Sequence, residues 1–351
     1  MNDSLASIII VNWNGARFIE KCLFSLKEQS YRHFEVIFVD NASGDDSLKI
    51  VEKNNLNFVK IIENPANLGF AKANNIGIQV ACGEYIVTLN NDTQPDCRWL
   101  EELVCVAEGD SKIGMCASKI FFSGYPKVID SVGVNIYPDG MSKQRGHLEI
   151  DTGQYNKVEE ILLPSACAAL YRRQMLEEIG LFDEDFFAYC EDTDLGLRGR
   201  LAGWKAVLVP TAIVYHFYSG TGRQHPLLQA YLVERNHFWV AVKNFPLNRI
   251  ITLPMYLIYR YLVQVYCVFR YRAKAGDSIR DFSKFKLFMT LIESWMDALV
   301  KLPLMWKKRK TISSYKKVGN HDIQYWFDRY RSDIRNLVIK DEFYGLSREK
   351  K

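Results

Sequence analysis

Tyr85-Ile-Val-Thr-Leu-Asn-Asn-Asp-Thr93 is the stretch on which the fold turns. Its first five residues suit a buried strand, and the run ends in Asn90, Asn91 and Asp92, with a helix signal following at Pro95. A carboxylate at the carboxyl end of such a strand points into the crevice where open α/β sheets take their ligands. Asn and Asp also make turns for purely local reasons, so the stretch gains its meaning from its flanks.

Upstream, three more strands alternate with helix patterns. Ala6–Gly15 is a buried-strand run ending in polar residues and a glycine, and Phe18, Cys22, Leu23 and Leu26 then recur at helical spacing. Phe34–Val39 reads as a second strand closed by the turn Asp40–Ser47, and Phe58–Ile62 as a third that leads into a Gly- and Asn-rich turn over 64–77. Strand and helix alternating over short connections predict an α/β fold, a mostly parallel sheet covered on both faces. The polar loops at 12–15, 40–47 and 64–75 each follow a strand end, so they share one edge of the sheet. None is a G-x-G-x-x-G turn or a P-loop, which removes the dinucleotide and ATPase readings. Asp40 can accept from a base or ribose, Gly69 permits close backbone approach, and Lys72 and Asn74 can donate to phosphate.

The chain has 351 residues, 48% hydrophobic, enough for one large core or two smaller ones. Residues 1–220 carry a charge balance of −10 and residues 221–351 one of +14. An acidic front and a basic back imply two jobs, the second against something anionic. Eight cysteines without a C-x-x-C pair read as a reduced protein. The first residues show no signal peptide, so the catalytic half is expected in the cytoplasm.

From Ile113 to Pro164 the pattern is irregular, with short β-like runs at Lys127–Val134 and Ile161–Leu163, and reads as an insertion over the substrate. Ala166–Tyr171 is a small-residue strand and Arg172–Ile179 a helix. Gly180–Arg198 interleaves Phe182, Phe186, Phe187 and Tyr189 with Asp and Glu. Carboxylates held beside buried rings tend to have raised pKa values, which suits a general base. Thr211–His216 ends a further strand in an imidazole available to a metal.

Taken together, Ile8–Gly15, Val39–Asp46, Asn67–Asn75, Leu89–Thr93, Gly180–Glu184 with Glu191–Leu195, and Val214–His216 resemble, in that order, the family 2 glycosyltransferases of the GT-A fold. The likeness is strongest to rhamnosyltransferase-like members that build bacterial surface polysaccharides, and it spans about residues 6–240, including Glu234-Arg-Asn236. It implies inverting transfer of a sugar, rhamnose by this likeness, from a dTDP- or UDP-sugar to a polyprenyl-linked or saccharide acceptor. By the same likeness Asp192 is the catalytic base, and Asn12, Asp40, Gly69, Lys72, Asn74 and Asn90 line the nucleotide-sugar site. Asp92 and His216 would hold Mg²⁺ or Mn²⁺. The family's D-x-D strand-end motif is here Asn90-Asn-Asp92, so its first carboxylate is absent. That departure keeps open a rival reading, a catalytically degenerate sugar-nucleotide-binding or scaffold protein of a polysaccharide-assembly complex. A nucleotidyltransferase would need a glycine- and lysine-rich triphosphate loop after the first strand, and there is none.

The organisation expected is a GT-A domain over 1–225, a helical membrane-associating region over 226–310 and a polar tail over 311–351. Pro226–Val242 is a helix pattern. Ile250–Phe269 is about as long as a membrane span, but Arg260, Gln264 and Pro254 argue against simple insertion. A cationic cluster (Arg270, Arg272, Lys274) follows it, and a second apolar helix, Phe285–Leu304, ends in Lys307–Lys310. Aromatic residues beside Lys and Arg on amphipathic helices describe an element lying on an anionic leaflet. Nucleic acid is disfavoured, because the basic clusters flank apolar helices. The placement implied is peripheral or monotopic, at the cytoplasmic face of the bacterial inner membrane.

Overall fold

The computed structural model describes residues 4–54, 56–217, 225–271 and 284–331. In chain order, β1 (Ala6–Asn12), α1 (Ala16–Lys27), β2 (Phe34–Asp40), α2 (Ser47–Asn54), β3 (Val59–Glu63), α3 (Gly69–Val80) and β4 (Tyr85–Leu89) alternate as the sequence predicts. A short β5 (Thr93–Pro95) and α4 (Trp99–Gly109) follow, then β6 (Ile113–Phe122), β7 (Tyr125–Ser131), β8 (Val134–Ile136), β9 (Ser142–Gln144) and β10 (Glu159–Glu160). The sheet-bearing part of the chain closes with β11 (Ala168–Arg172), α5 (Arg173–Ile179), α6 (Glu191–Leu201) and β12 (Lys205–His216).

The main sheet runs β10-β12-β6-β11-β4-β1-β2-β3, with β5 paired to β12 and β7 to β6. β3, β2, β1 and β4 are mutually parallel, β11 is antiparallel to both its neighbours, and β6 and β12 are parallel again. Alternating side chains supply the two faces. Ile8, Ile10, Val36, Phe38, Val87 and Leu89 pack with Leu23, Leu26, Trp99 and Leu103 on one side. Ile9, Ile37, Val39 and Ile86 pack with Ile78, Met175 and Ile179 on the other.

β6 departs most from the sequence reading. The irregular region opens instead with a ten-residue strand, buried at every position. Its lysine is tolerated because Lys119 Nζ lies 2.6 Å from Asp151 and donates to Asn156 at 2.8 Å.

Among the described residues five helices follow: α7 (Pro226–Asn244), α8 (Leu247–Tyr271), α9 (Lys284–Val300), α10 (Leu302–Tyr315) and α11 (Asn320–Arg329). The helix expected over Phe285–Leu304 is interrupted at Lys301, where Pro303 fits the first turn of α10. A third core joins Val134, Leu163, Phe186 and Leu197 to Trp239, Met305, Ile312, Trp326 and Phe327. Lys243 and Lys308 reinforce this junction: both reach Asp183, and Lys243 also reaches Asp194 at 2.7 Å.

α8 and α9 each leave an apolar stripe in solvent. On α8 it holds Ile251, Met255, Ile258, Leu262 and Tyr266, and on α9 Phe285, Phe288, Ile292, Met296 and Leu299. No helix among the described residues is long and apolar enough to cross a membrane. Of the expected basic clusters, Arg272 and Lys274 lie outside the described residues. Lys307 and Lys310 are exposed. Lys308 turns inward to Asp183 and Asp185, and Arg309 donates to the Val242 and Phe245 carbonyls.

Candidate active site

The parallel strands deliver Asn12 and Asp40 side by side, in register, at their carboxyl ends. Both are buried. Asn12 Nδ2 donates to Asp40 Oδ1 and to Ser43 Oγ, each at 2.9 Å, while Ser43 N–H reaches Asp40 Oδ2 at 2.8 Å. Asn91 Nδ2 then donates to Asn12 Oδ1 at 2.7 Å, which ties the end of β4 to the same edge. Ala42 and Asn14 take the left-handed conformation, φ 58° and 53°. Non-glycine residues there signal a loop whose shape its surroundings hold.

The third loop is an asparagine ladder. Asn64 Nδ2 donates to Asn41 Oδ1 at 2.8 Å, and Asn41 Nδ2 donates to the Gly69 carbonyl at 3.1 Å. Gly69 has φ +82°, and a Cβ there would stand 2.5 Å from the Phe187 carbonyl oxygen. The glycine thus serves a close contact with the loop before α6, and Ala71 N–H donates to that same oxygen at 3.1 Å. Asn74 is turned into its own helix, donating to Phe70 O at 2.9 Å. Lys72 is half exposed and 3.7 Å from Glu184. The Asn90 N–H donates to Cys167 O at 2.8 Å, and its carbonyl accepts from Thr93 Oγ1 at 2.6 Å.

β5 pairs antiparallel with the end of β12, setting His216 opposite Thr93. Asp92, one residue earlier, therefore meets the imidazole: Oδ1 is 3.2 Å from Nε2. On the other ring nitrogen Asp130 Oδ2 lies at 2.7 Å, and His147 Nδ1 is 3.2 Å from Asp130 Oδ1. Burial disfavours charge on Asp130, but the hydrogen bonds from His147 and His216 outweigh it and hold the carboxyl at about 2. Burial likewise opposes the imidazolium of His216, yet Cys167 and the carboxylates of Asp130 and Asp92 raise its pKa well above the usual range. Asp130 and His147 come from the irregular insertion, where no periodicity marked them.

A cation between Asp92 and His216 would displace the imidazole proton that now bridges them. Two ligand atoms at right angles on Mg²⁺ or Mn²⁺ stand roughly 3 Å apart, given bonds of about 2.1 Å, and Asp92 Oδ1 and His216 Nε2 match that separation. No group of three or more His, Cys, Asp or Glu side chains among the described residues is arranged to hold a metal. The remaining positions would fall to phosphate and water oxygens, as is usual for Mg²⁺.

Asp192 opens α6. Its Oδ1 accepts from Thr193 N–H at 2.7 Å, and its Oδ2 from Ala166 N–H at 3.2 Å. Ala166 adjoins Cys167, the thiol that touches His216, so the two acidic groups meet at two consecutive residues. Burial raises the pKa of Asp192, against those hydrogen bonds. Glu191 is raised further, by burial and then by the Asp192 charge, and its Oε2 is buried without a hydrogen bond.

The turn into α6 is strained: Phe187, Tyr189 and Cys190 have φ of 65°, 67° and 65°. Such residues cost about 1–3 kcal/mol each and persist only where other contacts impose them. Those contacts come from α7. Asn236 Nδ2 faces the carbonyls of Phe186, Ala188 and Tyr189 at 3.0, 2.9 and 2.7 Å, and Arg235 donates to those of Asp185 and Phe186. An open cavity of about 390 Å³ lies beside this turn, lined by Glu184, Asp185, Phe187, Leu228, Leu232, Arg235 and Lys301.

Residues 7–180 match the family described as glycosyl transferase family 2. The chain is 27% identical over 259 residues to the amylovoran biosynthesis glycosyltransferase AmsB of Erwinia amylovora, covering 71% of this chain and 81% of that protein. It is also 27% identical over 292 residues to the N-acetylglucosaminyl-diphospho-decaprenol L-rhamnosyltransferase of Mycobacterium tuberculosis, covering 72% and 92%. Among solved structures, the mannosyltransferase PcManGT of Pyrobaculum calidifontis, in complex with GDP-Man and Mn²⁺, superposes with a TM-score of 0.55 at 20% identity, over 86% of this chain and 87% of that one. S. aureus TarS 1–349 superposes with a TM-score of 0.52 at 18% identity, over 97% and 92%.

Proposed function

Residues 7–180 form a glycosyltransferase family 2 domain on the GT-A fold, and from that premise we propose inverting transfer of a sugar from a nucleotide-diphospho-sugar to a lipid-linked saccharide in surface polysaccharide synthesis. The observation that carries this reading is the meeting of two acidic groups at Ala166-Cys167: Asp92 with His216 on one side, Asp192 on the other. The strand-end edge of Asn12, Asp40 and the 64–75 loop holds the nucleotide, with Lys72 free to swing from Glu184 to a phosphate. Asp192 takes the proton of the acceptor hydroxyl as its oxygen attacks the anomeric carbon, opposite the departing diphosphate. Bound Mg²⁺ or Mn²⁺, held by Asp92 and His216, would supply Lewis-acid charge at the leaving group.

Rhamnose as the sugar is supported by the mycobacterial relative, an L-rhamnosyltransferase, and the donor of this reading is a dTDP- or UDP-sugar. The acceptor side is consistent with an amphiphile carrying phosphate: the cavity beside the strained turn combines Phe187, Leu228 and Leu232 with Arg235 and Lys301. The stripes of α8 and α9 would seat the enzyme on an anionic membrane surface, the cytoplasmic leaflet, with Lys307 and Lys310 at its rim. Fully burying one such side chain is worth about 1.5–3 kcal/mol, so a few suffice to hold the enzyme there.

The test incubates the full chain with a panel of dTDP- and UDP-sugars, Mn²⁺ and a polyprenyl-diphosphate-linked sugar. A product of inverted anomeric configuration supports the reading; a retained configuration defeats it. Asn90, which stands where a second carboxylate would strengthen the cation site, favours one rival: a sugar-nucleotide-binding protein without turnover. That rival predicts thermal stabilisation by the donor and no product from any acceptor.

A further inference from the structure

Among the described residues, the two that hydrogen-bond the Asp192 carboxylate, Thr193 and Ala166, both lead to one place, the β8–β9 hairpin. Thr193 donates to Asp192 Oδ1 from its N–H, and its hydroxyl lies between that oxygen at 3.3 Å and Ser142 Oγ at 3.0 Å. Ala166, which donates to Oδ2, follows Ser165, whose Oγ accepts from Gln144 Nε2 at 3.3 Å. Ser142 and Gln144 are the two ends of β9. Both neighbours of the base are thus tied to this strand, Thr193 directly and Ala166 through Ser165.

The hairpin is fixed at its turn by a buried ion cluster. Asp139 is fully buried, with Oδ1 accepting from Met141 N–H at 3.0 Å and Oδ2 accepting from Arg260 Nε at 2.7 Å. The Arg260 fork spans Glu234 as well, at 2.7 and 2.9 Å. Gly140, at φ +95°, presses the turn against α7, where a Cβ would stand 2.4 Å from the His237 carbonyl oxygen. An arginine with no exposed surface is tolerated only with such partners. Arg260 belongs to α8, and Ile258, Tyr259 and Leu262 around it point outward. The helix that bears the apolar stripe thus also bears the anchor of the base's frame.

We propose that Arg260 is a positioning residue for the transfer reaction, acting through Asp139 and the β8–β9 hairpin on Thr193 and Ala166, and so on the orientation of the Asp192 carboxylate. This rests on the reading of Asp192 as the base. The role differs from a stabilising one in what it moves. A frame for the base changes the chemical step and leaves donor binding alone, whereas a merely structural anchor changes the melting temperature and not the turnover of the folded molecules.

The experiment measures kcat, donor KM and thermal melting for the full chain carrying Arg260→Lys, Ser142→Ala and both together. Lysine keeps the charge but loses the planar fork. Ser142→Ala removes one half-buried hydroxyl and spares the ion cluster, so it keeps the test open if Arg260→Lys fails to fold. The expected result is a fall in kcat of about ten-fold for Arg260→Lys and about three-fold for Ser142→Ala, with donor KM within about two-fold. The double variant should be no worse than Arg260→Lys alone, because both changes act along one chain of contacts. Wild-type kcat in the folded variants, kcat and KM moving together, or full additivity would each overturn the proposal. If Arg260→Lys does not fold, the kcat of Ser142→Ala decides. Asp192→Asn is run beside them: if it turns over normally the base reading fails, and if it is inactive while Ser142→Ala and Arg260→Lys match wild type, only the framing fails.

Discussion

Ala166 and Cys167 stand between two acidic groups that the protein treats in opposite ways. On the Cys167 side, Asp130 is held at about 2 by two imidazoles, and His216 is shared between it and Asp92. On the Ala166 side, among the described residues Asp192 and Glu191 meet no cation, only N–H groups and a hydroxyl, and both carboxyls are pushed up by burial. The same chemical group is thus kept anionic in one place and ready to accept a proton in the next. In the proposed reaction, carboxylates that stay ionised to hold a cation against the leaving diphosphate belong with the first, and proton transfer belongs with the second.

The contrast can be broken most directly on the anionic side. Asp92→Ala should lower transfer by at least about 10²–10³-fold and abolish the response to added Mg²⁺ or Mn²⁺. Full activity of the wild type in excess chelator would contradict this assignment. On the other side, kcat measured against pH should fall on the acid side above the ordinary aspartate value of about 3.9, since a raised pKa means the basic form is lost earlier as pH drops. An acid limb at or below that value would argue against Asp192. Glu191→Gln should keep turnover within about three-fold, because burial favours the neutral form of this carboxyl and glutamine is a neutral group of similar shape. A loss comparable to that of Asp192→Asn would make Glu191 the base. The smallest effect on chemistry belongs to the outward stripe of α8. Ile258→Asp with Leu262→Asp should abolish pelleting with phosphatidylglycerol vesicles and change turnover on a water-soluble acceptor by less than about two-fold.

The anionic side was easier to read in the sequence than its supports. β1 to β4 announce themselves through apolar runs that end in, or lead within a residue into, Asn or Asp, and the shared edge of Asn12 and Asp40 follows from strand periodicity alone. β6 did not, because Gly114, Ser118 and Lys119 interrupt its apolar run, and only Asp151 and Asn156, far along the chain, make the lysine tolerable. Asp130 and His147 were invisible for the same reason: Asp130 matters by its contact with His216 and His147 by its contact with Asp130, and no local spacing encodes either. Arg260 was legible only as an objection to membrane insertion, whereas its partners, Asp139 and Glu234, lie on two separate elements. Asn236 stood within a motif that the sequence did single out, but its three carbonyl acceptors appear only once α7 lies beside the strained turn. Local pattern reports what one element needs, and these residues serve several at once.

Turnover by Asp192→Asn, measured together with nucleotide affinity, decides the matter. The variant should bind the donor nucleotide within a few-fold of wild type and transfer sugar at least about 10²-fold more slowly; near-normal transfer would remove Asp192 from the reaction and with it the division of labour between the two acidic groups.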